Sequence, residues 1–426
     1  MSFALNRNKA SFILFTILFR VLLEISYFSV VSEVYAYEGF LKNFDYANYF
    51  LSWIIFFGCF YFVRDRMYKI SDFFFVFTFL SLITPSLIIF GYDSARSFVP
   101  ILNIVISVLI IYLLVRTKTV SFKKLPIFKN GMSLIVAVSL IFVLFLVFWY
   151  SISGVTLNLS FSQVYDFRSE NSDLSGGGIL NYTNGWTYKI FNMALLAIAL
   201  LYRQYFFAVT ILIVQVYFFA ASTHKSVLFI PFVILGVWFY FRKTNSLAVI
   251  PIFFSSVIAL TLVTYMMFGD YFLSALFSRR VFFVPAQLTF VYFEFFSSNP
   301  HVYWSDSVLS SFSNYPYGEV SMSKLIGNYM GTEASANNGF ISSGYAHAGI
   351  FGIYIYSIII GFILRLLNDI TYNLLPLWFS IALCLQSLRS LVMSSDLFAV
   401  LLTHGLIIVI IIIFFVRSKK YAKLKT

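Results

Sequence analysis

Twelve apolar runs of membrane-crossing length, or a little less, limit what this chain can fold into more than any other feature. They are residues 12–31, 46–63, 73–90, 98–115, 132–150, 188–201, 206–221, 227–241, 247–268, 348–364, 374–393 and 398–416. A helix rises 1.5 Å per residue and a hydrocarbon core is about 30 Å thick, so each crossing needs about 20 apolar residues. Only 11% of the 426 residues are charged, against roughly 25% in a soluble domain. The sequence therefore predicts an all-α polytopic membrane protein with about twelve transmembrane helices in a single membrane domain, residues 1–426. A soluble multidomain fold is excluded. Cys59 and Cys384 both lie inside apolar runs, which leaves neither a disulfide framework nor a thiolate metal site.

Lys and Arg set the orientation, because they stay on the cytoplasmic side more strongly than acids do. With the N-terminus inside, 19 of the 29 basic residues fall in cytoplasmic segments, including Arg417, Lys419, Lys420, Lys423 and Lys425 of the tail. Among the acids only Asp65, Asp72 and Asp369 fall there. The net charge of +12 is then a topology signal, spread over short loops, and no nucleic-acid partner is expected. Both termini are predicted cytoplasmic. Arg20 and Glu24, four apart in the first run, share a helix face and can neutralise each other. No internal repeat is evident.

Two connections on the outer face are long, residues 151–187 and 269–347, and every cytoplasmic one is short, so the chemistry is expected outside. The larger loop holds a further apolar run, about 281–296, broken by Pro285. If that run crossed, the five-charge tail would lie outside, so it is predicted to be a re-entrant or interfacial helix. On it Arg280, Gln287 and Glu294 recur every seven residues and form a polar stripe.

The outer cations Arg168, Lys225, Arg279 and Arg280, with His224 beside Lys225, are candidates for binding phosphate oxygens. His224, His301, His347 and His404 stand singly, with no Asp-x-Asp or His-x-x-His pattern, so a metal-independent site without cofactor is expected. A general base should come from Asp166, Glu170, Glu294, Asp306, Glu319, Glu333, His301 or His347. Glu294 is preferred, because partial desolvation at the membrane surface would raise its pKa. The closing segment 337–352, with Asn337, Asn338, Gly344, Tyr345, His347, Gly349 and Gly352, suits hydroxyl-rich ligands, and its glycines allow close helix packing.

Long outer loops of this kind, Asn338-Gly339-Phe340, Gly344-Tyr345, Gly349 to Gly352, Tyr165 to Arg168 and Thr223 to Ser226 together resemble the Wzy-type O-antigen polymerases. Gly178 stands one position short of the Arg-x10-Gly spacing some members show. The resemblance implies a glycosyltransferase of lipopolysaccharide biosynthesis in the bacterial inner membrane, with its active site facing the periplasm. It would transfer a growing undecaprenyl-diphosphate-linked glycan to an incoming lipid-linked repeat unit, beside membrane lipid and a chain-length regulator protein. By the same resemblance Arg168, Arg279 and Arg280 contact the diphosphate and Lys225 adds a cation. Asn337, Asn338, Tyr345 and His347 contact sugar. An O-antigen ligase of similar topology and a lipid-linked oligosaccharide flippase are the alternatives. A transporter should carry polar residues through a central cavity, whereas charges inside the runs are nearly confined to Arg20 and Glu24.

Overall fold

The computed structural model describes residues 2–117, 121–160, 180–307 and 310–420. It is 74% helix, with no strand among the described residues. In chain order the helices are α1 (Asn8–Val34), α2 (Tyr46–Phe62), α3 (Ile70–Tyr92), α4 (Val99–Arg116), α5 (Gly131–Ile152) and α6, built end to end from Leu180–Trp186, Thr187–Phe191 and Asn192–Leu201. Then come α7 (Tyr205–Ser222), α8 (Lys225–Phe241), α9 (Val249–Phe268), α10 (Ser274–Ser298), α11 (Met322–Tyr329), α12 (Phe340–Thr371), α13 (Leu377–Met393) and α14 (Leu397–Val416). Among the described residues, nine helices are long and apolar enough to cross a membrane: α1, α3, α4, α5, α7, α9, α10, α12 and α14. The protein is therefore a polytopic membrane protein.

The chain forms two compact units. The first comprises Met1–Val120, Ser246–Arg365 and Arg389–Leu397, and the second Ser121–Asn245, Leu366–Leu388 and Phe398–Thr426. In the first, α1 lies along α9, α2 packs on α3, and α10 rests on α1, α3, α4 and α11. In the second, α6 is enclosed by α5, α7 and α8, and α14 packs on α5.

Each apolar run becomes helix, but several boundaries differ from the sequence expectation. Residues 180–187, expected in the first long loop, open α6, and α10 extends the expected 281–296 in both directions. Proline explains part of this. Pro85 and Pro285 each follow, by two residues, a π-wound stretch (Phe79–Ile83 and Ser274–Phe283). Such a stretch relaxes the i→i−4 ladder that proline otherwise breaks, so the helix passes through.

Arg20 and Glu24 do pair, Nε to Oε1 at 3.0 Å, and Arg20 is completely buried. Its other nitrogens donate to the Ser52 carbonyl at 2.9 Å and the Ser52 hydroxyl at 2.6 Å, with the Trp53 ring 4.0 Å away. Every part of the buried cation has a partner, which is the condition for tolerating it there.

Candidate functional site

The most concentrated polar chemistry in the first unit is built around a break in α12. Ala348 (φ −149°) and Gly349 (φ +58°, ψ −144°) leave the helical region and divide α12 into two arms. Gly349 occupies a conformation that a side chain disfavours. Across the break Gly352 lies against Gly344 so closely that a Cβ on Gly352 would stand 2.0 Å from the Gly344 carbonyl oxygen. The closing segment expected as a loop is thus, from Phe340 to His347, a helical arm folded tightly on the next.

Breaking a helix frees the carbonyls of its last turn. Those of Ala346 and His347 accept the Val302 and Tyr303 N–H groups, both at 2.9 Å. Tyr303 (φ +49°) and Trp304 (φ +59°) are consecutive left-handed residues, a backbone costing about 1–3 kcal/mol at each non-glycine position. That turn brings Trp304 onto His347 twice. The Trp304 N–H donates to His347 Nδ1 at 3.1 Å, and the indole stacks on the imidazole at 5.2 Å and 19°. The Trp304 Nε1–H donates to the Tyr356 hydroxyl at 2.7 Å, which donates to Asp396 Oδ2 at 2.6 Å. Asp396 Oδ2 lies 3.3 Å from His347 Nε2.

The ring of contacts fixes proton positions. Because Nδ1 accepts from Trp304, a neutral His347 carries its proton on Nε2, facing Asp396. The Nε2···Oδ2 approach is poorly aligned, so Nε2 is buried without a hydrogen-bond partner. A second carboxylate, Asp306, stands near. Asp306 is an exposed residue; partial removal from water first, with the Asp396 charge, holds its pKa above the ordinary value against the pull of His347. His301, half-buried over Gly349 and ringed by Phe296, Tyr303 and Tyr345, also keeps a buried Nδ1 without a partner.

The remaining expected site residues separate into three situations. Some are engaged structurally. Arg279 forms a two-pronged ion pair with Glu38, Nε to Oε2 at 2.8 Å and Nη2 to Oε1, and its guanidinium lies 4.3 Å over Tyr35. Buried Asn338 donates to the Pro285 carbonyl (2.9 Å) and to Ser342 and Thr289 hydroxyls (2.8 and 3.2 Å), clamping the start of α12 to α10. Tyr345 stacks on Phe293 at 3.8 Å. Others are open: Asn337 is exposed, and Arg280 is exposed with no hydrogen bond or ion pair among the described residues. In the second unit His224 and Lys225 follow Thr223, a left-handed residue that ends α7, and both have contacts of their own. Arg168 lies outside the described residues.

Glu294 does not have the desolvated setting expected of it. It is exposed, accepts the Tyr329 hydroxyl at 2.8 Å and lies 3.9 Å from Arg96. The stripe on α10 also has a different member. π winding places about one more residue in each turn, so Arg279, Gln287 and Glu294 share the contacts with Glu38, Gly39 and Arg96. Arg280 is turned away from them.

Sequence reasoning missed Asp396, Tyr356 and Trp304. Arg389, on the apolar α13, is exposed with no hydrogen bond or ion pair among the described residues. Among the described residues no group of three His, Cys, Asp or Glu side chains converges as metal ligands would. Fold and site together define a polytopic, all-helical membrane protein with a buried histidine beside a half-buried carboxylate at a broken helix. Comparison with known protein families, with curated proteins and with solved structures returns no match.

Proposed function

We propose that the protein is a metal-independent glycosyltransferase that polymerises oligosaccharide repeat units carried on undecaprenyl diphosphate, at the outer leaflet of the bacterial inner membrane. The observation that carries the reading is the Trp304–His347–Asp396–Tyr356 ring of contacts at the break in α12. It holds a carboxylate by the Tyr356 hydroxyl and sets it 3.3 Å from a histidine Nε2 that has no hydrogen-bond partner. Such a carboxylate can take the proton of an acceptor sugar hydroxyl as that oxygen attacks the anomeric carbon. The bond from that carbon to the donor diphosphate breaks, and the diphosphate leaves with the electron pair. Arg280, exposed and unpaired among the described residues, suits the developing negative charge. Asp396 thereby replaces Glu294 as the preferred base, with the Tyr356 hydroxyl orienting it and His347 beside it.

The contacts of α10 support a re-entrant rather than a crossing helix. Arg279 and Glu294 are fifteen residues apart, a rise of about 22 Å. Yet Arg279 meets Glu38, Gln287 meets Gly39, and Glu294 meets the Arg96 that also binds Gly39. These partners lie in the connections after α1 and between α3 and α4, which the charge rule places on one face, the periplasmic one. A re-entrant helix, with Phe282 packed on Phe19 of α1 and Phe254 of α9 at 5.2 Å and both ends at that face, leaves the tail cytoplasmic. The test is chain extension by purified protein given a lipid-linked repeat unit, compared with Asp396→Asn. The proposal expects polymer from the first and little from the second, and polymer undiminished in Asp396→Asn would overturn the assigned base.

A further inference from the structure

In the second unit, residues 122–131, 369–375 and 414–420 meet at one end. Ser418 N–H donates to the Leu374 carbonyl at 3.0 Å, the Phe128 ring lies 4.9 Å from that of Phe415, and a Cβ on Gly131 would stand 2.0 Å from the Phe415 carbonyl oxygen. Five exposed lysines gather there: Lys123, Lys124, Lys129, Lys419 and Lys420. None has an ion pair among the described residues, and the sole acid in these stretches, Asp369, accepts the Phe122 N–H at 2.9 Å.

Arg417 stands at the centre of this end, and only 1% of it is exposed. One nitrogen, Nη2, donates to the Pro126 carbonyl, and the guanidinium lies 4.3 Å over the Phe414 ring. Nε and Nη1 are buried with no hydrogen-bond partner. Each unmet buried donor costs about 1–3 kcal/mol, more when the group is charged. The group that would complete the arrangement is an anion with several acceptor oxygens, and a phosphate has that form. Position selects its source: Arg417 directly follows the last residue of α14, where a membrane helix meets headgroups. Clusters of basic side chains at such a level attract anionic headgroups by about 1 kcal/mol per cation.

We propose that Arg417, with Lys123, Lys124, Lys129, Lys419 and Lys420, binds the phosphate of an acidic phospholipid. The orphaned nitrogens are closed to water here, so the headgroup enters by displacing the side chains over them and tightens the unit when seated. The full chain in detergent should then show a higher Tm with phosphatidylglycerol than with phosphatidylcholine or inorganic phosphate at equal concentration. In Arg417→Gln the phosphatidylglycerol shift should vanish. Should Arg417→Gln fail to fold, the triple variant Lys123→Gln, Lys124→Gln, Lys129→Gln changes only exposed residues. It should raise the half-saturating lipid concentration by about a hundredfold, at three cations removed. Equal shifts with phosphatidylcholine, an equal shift with inorganic phosphate, or a shift unchanged in the variants would each overturn the proposal. None of these readouts depends on glycan transfer.

Discussion

At the scale of single residues, the geometry around His347 ranks the consequences of substitution. Removing a general base costs about 10²- to 10⁴-fold in rate, and Asp396→Asn should fall in that range when polymer is measured per folded molecule. Tyr356→Phe deletes one hydrogen bond to a charged group, about 1.5–3 kcal/mol, and should slow transfer roughly ten- to a hundredfold. Arg280→Ala should lose a similar factor and Arg280→Lys less, since lysine keeps the charge without the fork; full-length glycan from Arg280→Ala at normal abundance would remove it from the mechanism. Asp306 carries a pH dependence. Its folded-state pKa is raised above its ordinary value, so the folded form binds the proton more tightly. Its contribution to stability is then present at low pH and lost as pH rises from about 3.8 through the raised value. Protection factors of residues 301–307, with the base catalysis of exchange itself divided out, should fall over that window in the native chain and stay level in Asp306→Asn. His347 was legible in the sequence because it stands in a distinctive segment. Asp396 was not, because it occupies a short connection between α13 and α14, and contacts 40 and 49 residues back along the chain, with Tyr356 and His347, give it a role.

Among the elements, the apolar runs were readable because helix formation in a membrane follows from the need to satisfy every backbone group internally. Breaks and windings were harder to see. The helix expected from residue 348 does begin a separate arm there, but Phe340–His347, expected as loop, is helical too, and the loop at Val302–Tyr303 takes up the carbonyls freed at the division. The polar period on α10 was recognised, yet π winding ahead of Pro285 exchanged Arg279 for Arg280, a phase shift that residue spacing cannot express. Gly352→Ala should therefore be more damaging than an alanine in a helix normally is. Its Cβ has nowhere to go but the Gly344 backbone, and a loss of folded protein at 37 °C, read by size-exclusion chromatography, is the expected result. In α1, Glu24→Ala leaves Arg20 buried without its counter-ion and should cost about 3–5 kcal/mol, read as a lowered Tm in detergent. An unchanged Tm would mean that Ser52 and Trp53 suffice to hold the cation.

For the whole molecule, orientation rests on charge: cysteines placed at Ser310 and Lys420 in a Cys-free background should differ, with only the former reached by an impermeant maleimide from the periplasmic side. The division into two compact units was not readable from the sequence, because each unit is assembled from segments far apart in the chain that share one apolar composition. Of the expected site, the first unit holds Arg279, Arg280, Glu294, His301, Asn337, Asn338, Tyr345 and His347, and the second holds His224 and Lys225. The central claim is that this membrane protein joins lipid-linked repeat units without a metal, using Asp396 beside His347. Its most direct test is to incubate purified protein with one defined undecaprenyl-diphosphate-linked repeat unit in EDTA and separate the products by length. The account predicts a ladder of products at whole multiples of the repeat unit, lost in Asp396→Asn. Folded native protein that leaves the repeat unit unextended in EDTA, or extends it only once magnesium or manganese is restored, would contradict it.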